Sequence, residues 1–301
     1  MNHADAHPAR AAGTVRLGGR DVPRVGYGLG SLTRAAAAGP EAFDAAVALL
    51  RDARALGVEF YDTAQFYGAG LANRLLSAAF GEHHDDVVYA TKVGARPVEG
   101  PVPMTAAQRP DELRAAVEDN LRTLGTDRLD LVYLRRMDMR PGLVVEDPDQ
   151  QVPLDDQLAE LAALRDAGLI GAIGLSHVSA EQLRAALPVG IAAVSNIHNL
   201  LHREHEDLLA ITERAGAVWS PYFPLGGGFA GLPAVTEHSA VRAAAERLGA
   251  TTNQVGLAWM LARTPSSLVI AGTSSVGHLR ENVAAAALRL PDDVRAQLDP
   301  V

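Results

Sequence analysis

The chain has 301 residues, 48% of them apolar, with a formal net charge of −9 and no cysteine. This length and apolar share suit one globular α/β domain with a sizeable core and exclude a disordered chain. The acidic balance argues against nucleic acid as a partner, the absence of cysteine removes disulfides, thiolate metal sites and a cysteine nucleophile, and no apolar run approaches the ~20 residues that span a membrane.

The opening stretch, "MNHADAHPARAAG", lacks the basic-then-apolar pattern of a secretory signal. It reads as a disordered tail over 1–13, ahead of a single domain over 14–301 in a cytoplasmic protein. "TVRLGGRDVPRVG" sets Gly18-Gly19 between two alternating runs, which predicts a hairpin placed to plug the lower mouth of a barrel. "RVGYG" (24–28) is the first of eight short apolar runs that read as strands covered on both faces. An Ala- and Leu-rich amphipathic stretch then breaks at Gly57 before "VEFYDTA". "DVVYATK" (86–92) is the third run. Similar amphipathic stretches break at Gly125, Gly168 and Gly216 before "TDRLDLVYL", "LIGAIGLS" and "AVWSPYF". "IAAVSN" (191–196) and "SLVIAG" (267–272) complete the set. Glycine just past a helix supplies the left-handed residue that stops it. Eight strands mostly separated by helices predict an α/β (β/α)8 TIM barrel with an N-terminal β-hairpin. An open doubly wound sheet is the competitor.

In a barrel the last residues of each strand and the following loop line the active mouth. The polar residues there are Asp62 with Tyr67 a turn later, Lys92, Arg135-Arg136, Ser176-His177, and Tyr222 leading into a glycine run. Lys92 is the one lysine beside 26 arginines. A position needing only positive charge would carry Arg in this chain. A compact ammonium can sit between a carboxylate, Asp62, and a phenol, Tyr67, and favour the phenolate form of that ring. Tyr67 can then give a proton to a carbonyl oxygen or take one from an alcohol. The bland alternative is a surviving surface lysine.

Other motifs carry less. "GYGLG" (26–30) lacks the spaced third glycine of a dinucleotide fingerprint and reads as a tight loop at the mouth. His83-His84 and the pair His202 and His205 complete no metal-ligand set, so no metal is expected. No Gly-x-Ser-x-Gly element supports a hydrolase.

"FYDTAQFYG" (60–68), "ATK" (90–92), "LGTDRLDLVYL" (124–134), "IGLSHVS" (173–179), "NLLHR" (199–203), "FPLGGG" (223–228) and "GTSSVGHLREN" (272–282) occur in the order found in the aldo-keto reductase superfamily. The chain resembles that superfamily from about residue 14 to 299, and most its bacterial pyridoxal reductase-like branch. The resemblance implies reversible carbonyl–alcohol interconversion with NADPH lying across a barrel mouth. It makes Asp62, Tyr67 and Lys92 three members of a catalytic tetrad. The fourth is usually histidine. Here Arg135 takes its place, in "LRRMD", and an arginine can orient and stabilise but not relay a proton. The alternative is that Arg135 turns away to a loop carboxylate such as Asp138.

On the cofactor side the resemblance assigns Gly30 and Ser31 near the nicotinamide, Ser176 and His177 in place of a Ser-Asn pair on the carboxamide, and Ser195 in place of the usual glutamine. His177 is expected to donate one hydrogen bond to the carboxamide. Tyr222 is expected to stack on the nicotinamide. Pro224 and Leu225 would line the cofactor site, and Gly226 and Gly228 would approach the pyrophosphate with backbone N–H groups. Gly272, Thr273, Ser274 and Ser275 open the last helix as a phosphate seat, with His278, Arg280, Glu281 and Asn282 around the adenosine. Hydroxyls stand where many relatives carry a cation for the 2′-phosphate, with Arg280 or His278 as the candidate cation here, so NADPH is favoured and NADH stays open. Phe66, Arg136 and Met137 are candidate substrate contacts, and loops 96–108, 137–153 and 224–237 would select the substrate. Pyridoxal is the first candidate, and a ketone intermediate of secondary metabolism or sugar chemistry the second. An NADPH-binding sensor with little turnover is the competing function. Whether the chain is a monomer or a homo-oligomer stays open.

Overall fold

The structure is a computed structural model that describes residues 7–81, 86–100, 102–140, 142–227 and 232–299. After a short 3-10 helix, Pro8–Ala12, the strands β1 (Thr14–Leu17) and β2 (Arg20–Pro23) form the expected hairpin. There follow β3 (Val25–Gly28), α1 (Gly30–Ala36), α2 (Pro40–Ala55), β4 (Phe60–Asp62), α3 (Leu71–Phe80) and β5 (Val88–Val93). A small antiparallel hairpin, β6 (Ala95–Pro97) and β7 (Met104–Ala106), precedes α4 (Pro110–Leu124), β8 (Leu129–Arg135), α5 (Leu154–Asp166), β9 (Ile170–Ser176) and α6 (Ala180–Ala186). The chain then runs through β10 (Ile191–Ser195), α7 (Glu206–Arg214), β11 (Val218–Trp219), α8 (Ser239–Leu248), α9 (Thr252–Arg263), β12 (Val269–Ile270), α10 (Val276–Ala284) and α11 (Asp292–Leu298).

Strands β3, β4, β5, β8, β9, β10 and β11 pair in that order, with β12 beside β3 at the other end of the row. The ring closes where Trp219 bridges in parallel to Ser267; the Trp219 N–H donates to the carbonyl of Ser266 at 3.0 Å and its carbonyl accepts from Leu268 at 2.8 Å. This is a (β/α)8 barrel. Strand side chains alternate between faces. Phe60, Ala90, Tyr133, Ala172, Ala193 and Ile270 share one interior cluster, which also takes Val15, Leu17 and Val22 of the hairpin. The hairpin therefore stoppers the barrel, as its alternating pattern predicts. The same parity points Asp62, Lys92, Arg135, Ser176 and Ser195 inward at the C-terminal strand ends. The helices pack outside on the larger cluster that includes Leu50, Leu75, Leu161 and Trp259.

Two expectations are corrected here. The tail expected to be disordered over 1–13 is ordered from Pro8: Ala9 is fully buried, its N–H donates to the Leu56 carbonyl at 3.1 Å, and Arg10 pairs with Glu59 at 2.7 Å. Arg24 and Arg289 also donate to the carbonyls of Ala12 and Ala11, at 3.3 and 2.8 Å. The helix opened by Thr273 to Ser275 is not the last, because α11 follows with Val294 and Leu298 buried. Among the described residues, no helix is long and apolar enough to cross a membrane.

Candidate active site

Lys92 Nζ donates to both Asp62 carboxylate oxygens, at 2.6 and 2.8 Å, and to the Thr63 carbonyl at 3.0 Å. Both side chains are almost wholly buried. Burial pulls the ammonium down, but the Asp62 carboxylate and the Tyr67 phenol outweigh it and hold Lys92 above the ordinary lysine value. Burial pushes the Asp62 carboxyl up, against the pull of Lys92. With the ammonium bonded to both oxygens, the carboxylate form is the one the site is built for. Lys92 Nζ lies 4.9 Å from the Tyr67 ring centroid. The hydroxyl end of that ring rests against Gly30, where a Cβ would come within 3.9 Å of Cε2 and Cζ. The bland reading of Lys92 as a surface residue is excluded.

Arg135 also enters the mouth. Its guanidinium carbon lies 5.8 Å from the Tyr222 ring centroid, and its Nε is buried without a partner. Burial pushes the Tyr222 phenol up while the adjacent Arg135 guanidinium pulls the other way. It is the neighbouring Arg136 that takes Asp138, with Nε at 3.0 Å, and also reaches the Val152 carbonyl at 2.9 Å and Gln157. Strand parity explains the split: Arg135 is in register with the inward residues and Arg136 is not. Arg136 is thereby placed behind the mouth and is corrected from a substrate contact to a loop anchor.

His177 departs from its expected role. The Tyr222 hydroxyl and His177 Nδ1 are 2.9 Å apart, and His177 Nε2 is 2.8 Å from the Met139 carbonyl. A carbonyl only accepts, so Nε2 carries the proton and Nδ1 accepts from Tyr222. Burial, aided by the Arg135 charge, lowers the His177 pKa to about 4, which keeps the ring neutral. Its one N–H is committed to Met139 and is not available to a carboxamide. Ser176 and Ser195, paired across β9 and β10, are both fully buried with Oγ atoms that have no partner. Ser31 Oγ and Asn282 Oδ1 are likewise buried and unpartnered. These orphaned atoms fit the amide and ring nitrogens of a nicotinamide–adenine cofactor.

The phosphate expectations change in detail. Gly226 N–H donates to the Phe223 carbonyl at 3.0 Å. A Cβ on Gly226 would come 2.0 Å from the Pro233 carbonyl oxygen, so this glycine serves a tight turn. Leu225 packs on Gly256 of α9, Pro224 is buried, and Gly228 lies outside the described residues. Gly272 approaches the Gly28 backbone, where a Cβ would sit 2.2 Å from a carbonyl oxygen. Thr273 Oγ1 accepts from Ser275 N–H at 3.1 Å and Ser275 Oγ caps α10, so both hydroxyls serve the helix. Ser274, His278 and Arg280 are exposed and Glu281 is half-buried on that edge.

Phe66 and Met137 are brought together in a small apolar cluster with Ala64, Ala95 and Ala106. They form its buried base. Its partly buried members are Tyr67, Met104, Leu143 and Val145. Among the described residues, three that are not glycine have left-handed backbone, Ala69, His177 and Phe223, and all lie in loops after strands at the mouth. Such strain is tolerated mainly at working sites.

A sequence profile of the aldo/keto reductase family matches residues 24–301. The chain belongs to the aldo/keto reductase family. The pyridoxine 4-dehydrogenase of Escherichia coli (strain K12) is 39% identical over 298 residues, which is 97% of this chain and 99% of that one. An aldo-keto reductase from Klebsiella pneumoniae, solved in complex with NADPH, superposes with a TM-score of 0.76 at 28% identity, covering 95% of this chain and 94% of that one. The glycerol dehydrogenase of Gluconobacter oxydans shares the fold, with a TM-score of 0.80 at 24% identity over 96% of this chain and 95% of that one.

Several residues of this aldo/keto reductase lie at the site without having been singled out by sequence. Tyr133 is fully buried below the mouth, close enough that the Asp62 charge helps burial push its phenol up. Its inward parity in "DLVYL" was the available signal. Thr63 Oγ1 donates to Asn73 at 2.8 Å and Thr91 Oγ1 to Asn120 at 2.7 Å, and Asn73 donates to Asn120 at 2.9 Å. This buried network clamps the residues next to Asp62 and Lys92. Gln108 donates to the carbonyl of Arg135 at 2.9 Å from a neighbouring loop. No local pattern marks those asparagines or Gln108, because their partners are remote in sequence.

Proposed function

We propose that the protein is an NADPH-dependent carbonyl reductase acting reversibly on aldehydes or ketones of modest size. The observation that carries this is the buried Lys92, bonded to both oxygens of Asp62 beneath the Tyr67 ring. NADPH is favoured by the complex of the Klebsiella relative, and the orphaned hydroxyls of Ser31, Ser176 and Ser195 suit a nicotinamide cofactor. Ser176 and Ser195 would hold the carboxamide, Tyr222 the face of the ring, and Asn282 with Arg280 and His278 the adenosine end. When bound, NADPH supplies the hydride that the carbonyl carbon receives.

Tyr67 donates its hydroxyl proton to the carbonyl oxygen as that oxygen gains charge. Lys92 stabilises the phenolate left behind, and Asp62 keeps the ammonium in place. Arg135 directs fixed donors at the same oxygen and holds it in line with Tyr67. Solvent then restores the Tyr67 proton, and the reverse sequence oxidises an alcohol. Tyr222, tied to His177, keeps its ring at a set angle, which excludes water from one side of the reacting carbon.

Pyridoxal is the first substrate to try, because the E. coli relative is a pyridoxine 4-dehydrogenase. The test is loss of NADPH absorbance with pyridoxal and a panel of aldehydes and ketones, repeated with NADH. Turnover of panel members with NADPH is expected. Tight NADPH binding with no turnover on any of them would reject the reductase and favour a cofactor-binding sensor.

A further inference from the structure

Arg135, Tyr222, His177 and the Met139 carbonyl form one hydrogen-bond chain with a fixed direction. The Arg135 guanidinium bonds the Tyr222 hydroxyl. That hydroxyl lies 2.9 Å from His177 Nδ1, and His177 Nε2 lies 2.8 Å from the Met139 carbonyl oxygen. A guanidinium only donates and a carbonyl only accepts. The Tyr222 oxygen therefore accepts from Arg135 and gives its own proton to Nδ1, which leaves the ring proton on Nε2 for Met139. A charged imidazolium would offer Tyr222 a second donor and leave the phenol proton without an acceptor.

The backbone holds the members of this chain in place. His177 has φ +59, a left-handed conformation that breaks the line of β9 just past Ser176. Its N–H donates to the Ser195 carbonyl at 3.1 Å, and the Tyr222 N–H donates to the Asn196 carbonyl at 3.1 Å. Gly142 packs on the imidazole, where a Cβ would lie 3.4 Å from Nε2. Asp138, next to Met139, is gripped by Arg136 at 3.0 Å and by Gln182 at 2.7 Å. The accepting end of the chain is thus a loop carbonyl pinned on both sides.

We propose that His177 is a positioning residue of the reductase: through the Tyr222 hydroxyl it fixes the direction in which Arg135 presents its remaining donors to the substrate oxygen, and it takes no part in holding the cofactor carboxamide. The proposal rests on the carbonyl-reductase reading above and deepens it. The phenol has one proton. Once His177 takes it, the lone pairs of the Tyr222 oxygen face Arg135, and a guanidinium on a flexible stem gains a fixed acceptor. The asparagine that the family resemblance sets at this position is shorter than histidine and falls short of spanning Tyr222 and Met139. Glutamine has the reach, with one acceptor and one donor at its end, as in a neutral imidazole.

The test uses the panel aldehyde that wild type reduces fastest, and measures NADPH Kd beside kcat/KM at saturating NADPH. Wild type is compared with His177→Asn, His177→Gln, Tyr222→Phe and the combination of His177→Asn with Tyr222→Phe, each checked for folding by circular dichroism. His177→Asn and Tyr222→Phe should each lower kcat/KM by about 10-fold or more, the scale of a lost bond to a charged group. NADPH Kd should rise no more than a few-fold in either, since the stacking ring stays. The combined variant should fall no further than either single one, because both break the same chain. His177→Gln should recover part of the loss. A many-fold rise in the NADPH Kd of His177→Asn overturns the proposal by returning His177 to the cofactor. Single losses that multiply in the combined variant overturn it as separate structural damage. Unchanged kcat/KM in Tyr222→Phe, or a glutamine variant no better than the asparagine one, overturns it too. If His177→Asn fails to fold, Tyr222→Phe decides. Each of these results leaves the reductase reading standing, whereas no turnover of any aldehyde by wild type overturns both.

Discussion

At the scale of single residues, the site depends on a buried ion pair that is costly to leave half-made. Removing the amine as Lys92→Met strands the Asp62 carboxylate in the barrel, which costs about 3–5 kcal/mol. Denaturant unfolding should show that loss, and Asp62→Asn combined with Lys92→Met should recover much of it while turnover stays lost. Recovery of turnover by the double variant would contradict the role given to the ammonium. The pH dependence follows from the direction of the shift. Lys92 is held above its ordinary value, so its contribution is complete below the unfolded lysine pKa. It is lost only as pH rises through the folded value, so unfolding measured across neutral pH should show no slope from Lys92 itself. Sequence made the identities of Asp62, Tyr67 and Lys92 legible, because one lysine among arginines is informative. It left Arg135 and Arg136 ambiguous, because two adjacent arginines at a strand end differ only in which face they leave by. It missed the commitment of His177 to Met139, because that carbonyl lies 38 residues away.

At the scale of elements, the positions of the proposed catalytic groups are set by contacts between loops that follow different strands. Gly94, just after β5, has φ +98, and a Cβ there would lie 2.5 Å from the Arg135 carbonyl oxygen. Gln108 then ties the carbonyls of Gly94 and Arg135 together. Gly94→Ala should therefore destabilise by about 2 kcal/mol or more and displace Arg135. Thermal unfolding would read the first effect, and a larger fall in kcat/KM than in NADPH affinity the second. A fully active, equally stable variant would contradict this placement. The strands themselves were legible, since each is a short apolar run closed by a turn signal. The β6–β7 hairpin was not, because "ARPVEGPVPMTA" carries proline and glycine through what read as a loop.

At the scale of the whole molecule, burial of histidines makes the barrel sensitive to acid. His198 is fully buried, stacks on Trp259 at 5.9 Å and meets Trp219 edge-on at 5.7 Å, and its Nε2 faces the Glu206 carboxylate at 3.8 Å. Burial lowers its pKa to about 4, with Glu206 opposing and Arg263 and Arg203 assisting. A histidine lowered in the folded state binds its proton first in the unfolded chain. Stability is therefore complete above the unfolded pKa near 6.5 and declines as pH falls towards 4, by about 3 kcal/mol for one such group. Urea unfolding between pH 7 and 4 should show this slope, and His198→Phe, which keeps the ring contacts, should reduce it, leaving the share of His177. An unchanged slope would show that other groups set the acid limit. The eight-strand order was readable from periodicity, and so was the hairpin plug. The docking of Pro8–Ala12 was not, because its partners, Glu59, Arg289 and the Leu56 carbonyl among them, are remote in sequence.

The most direct test of the central claim is a single-turnover measurement of Tyr67→Phe with NADPH and a reducible aldehyde, alongside its NADPH Kd. The Kd is expected to stay within a few-fold of wild type and NADPH oxidation to slow by about 100-fold or more. A variant that binds NADPH and reduces the aldehyde at the parental rate would show that this phenol is not the proton donor.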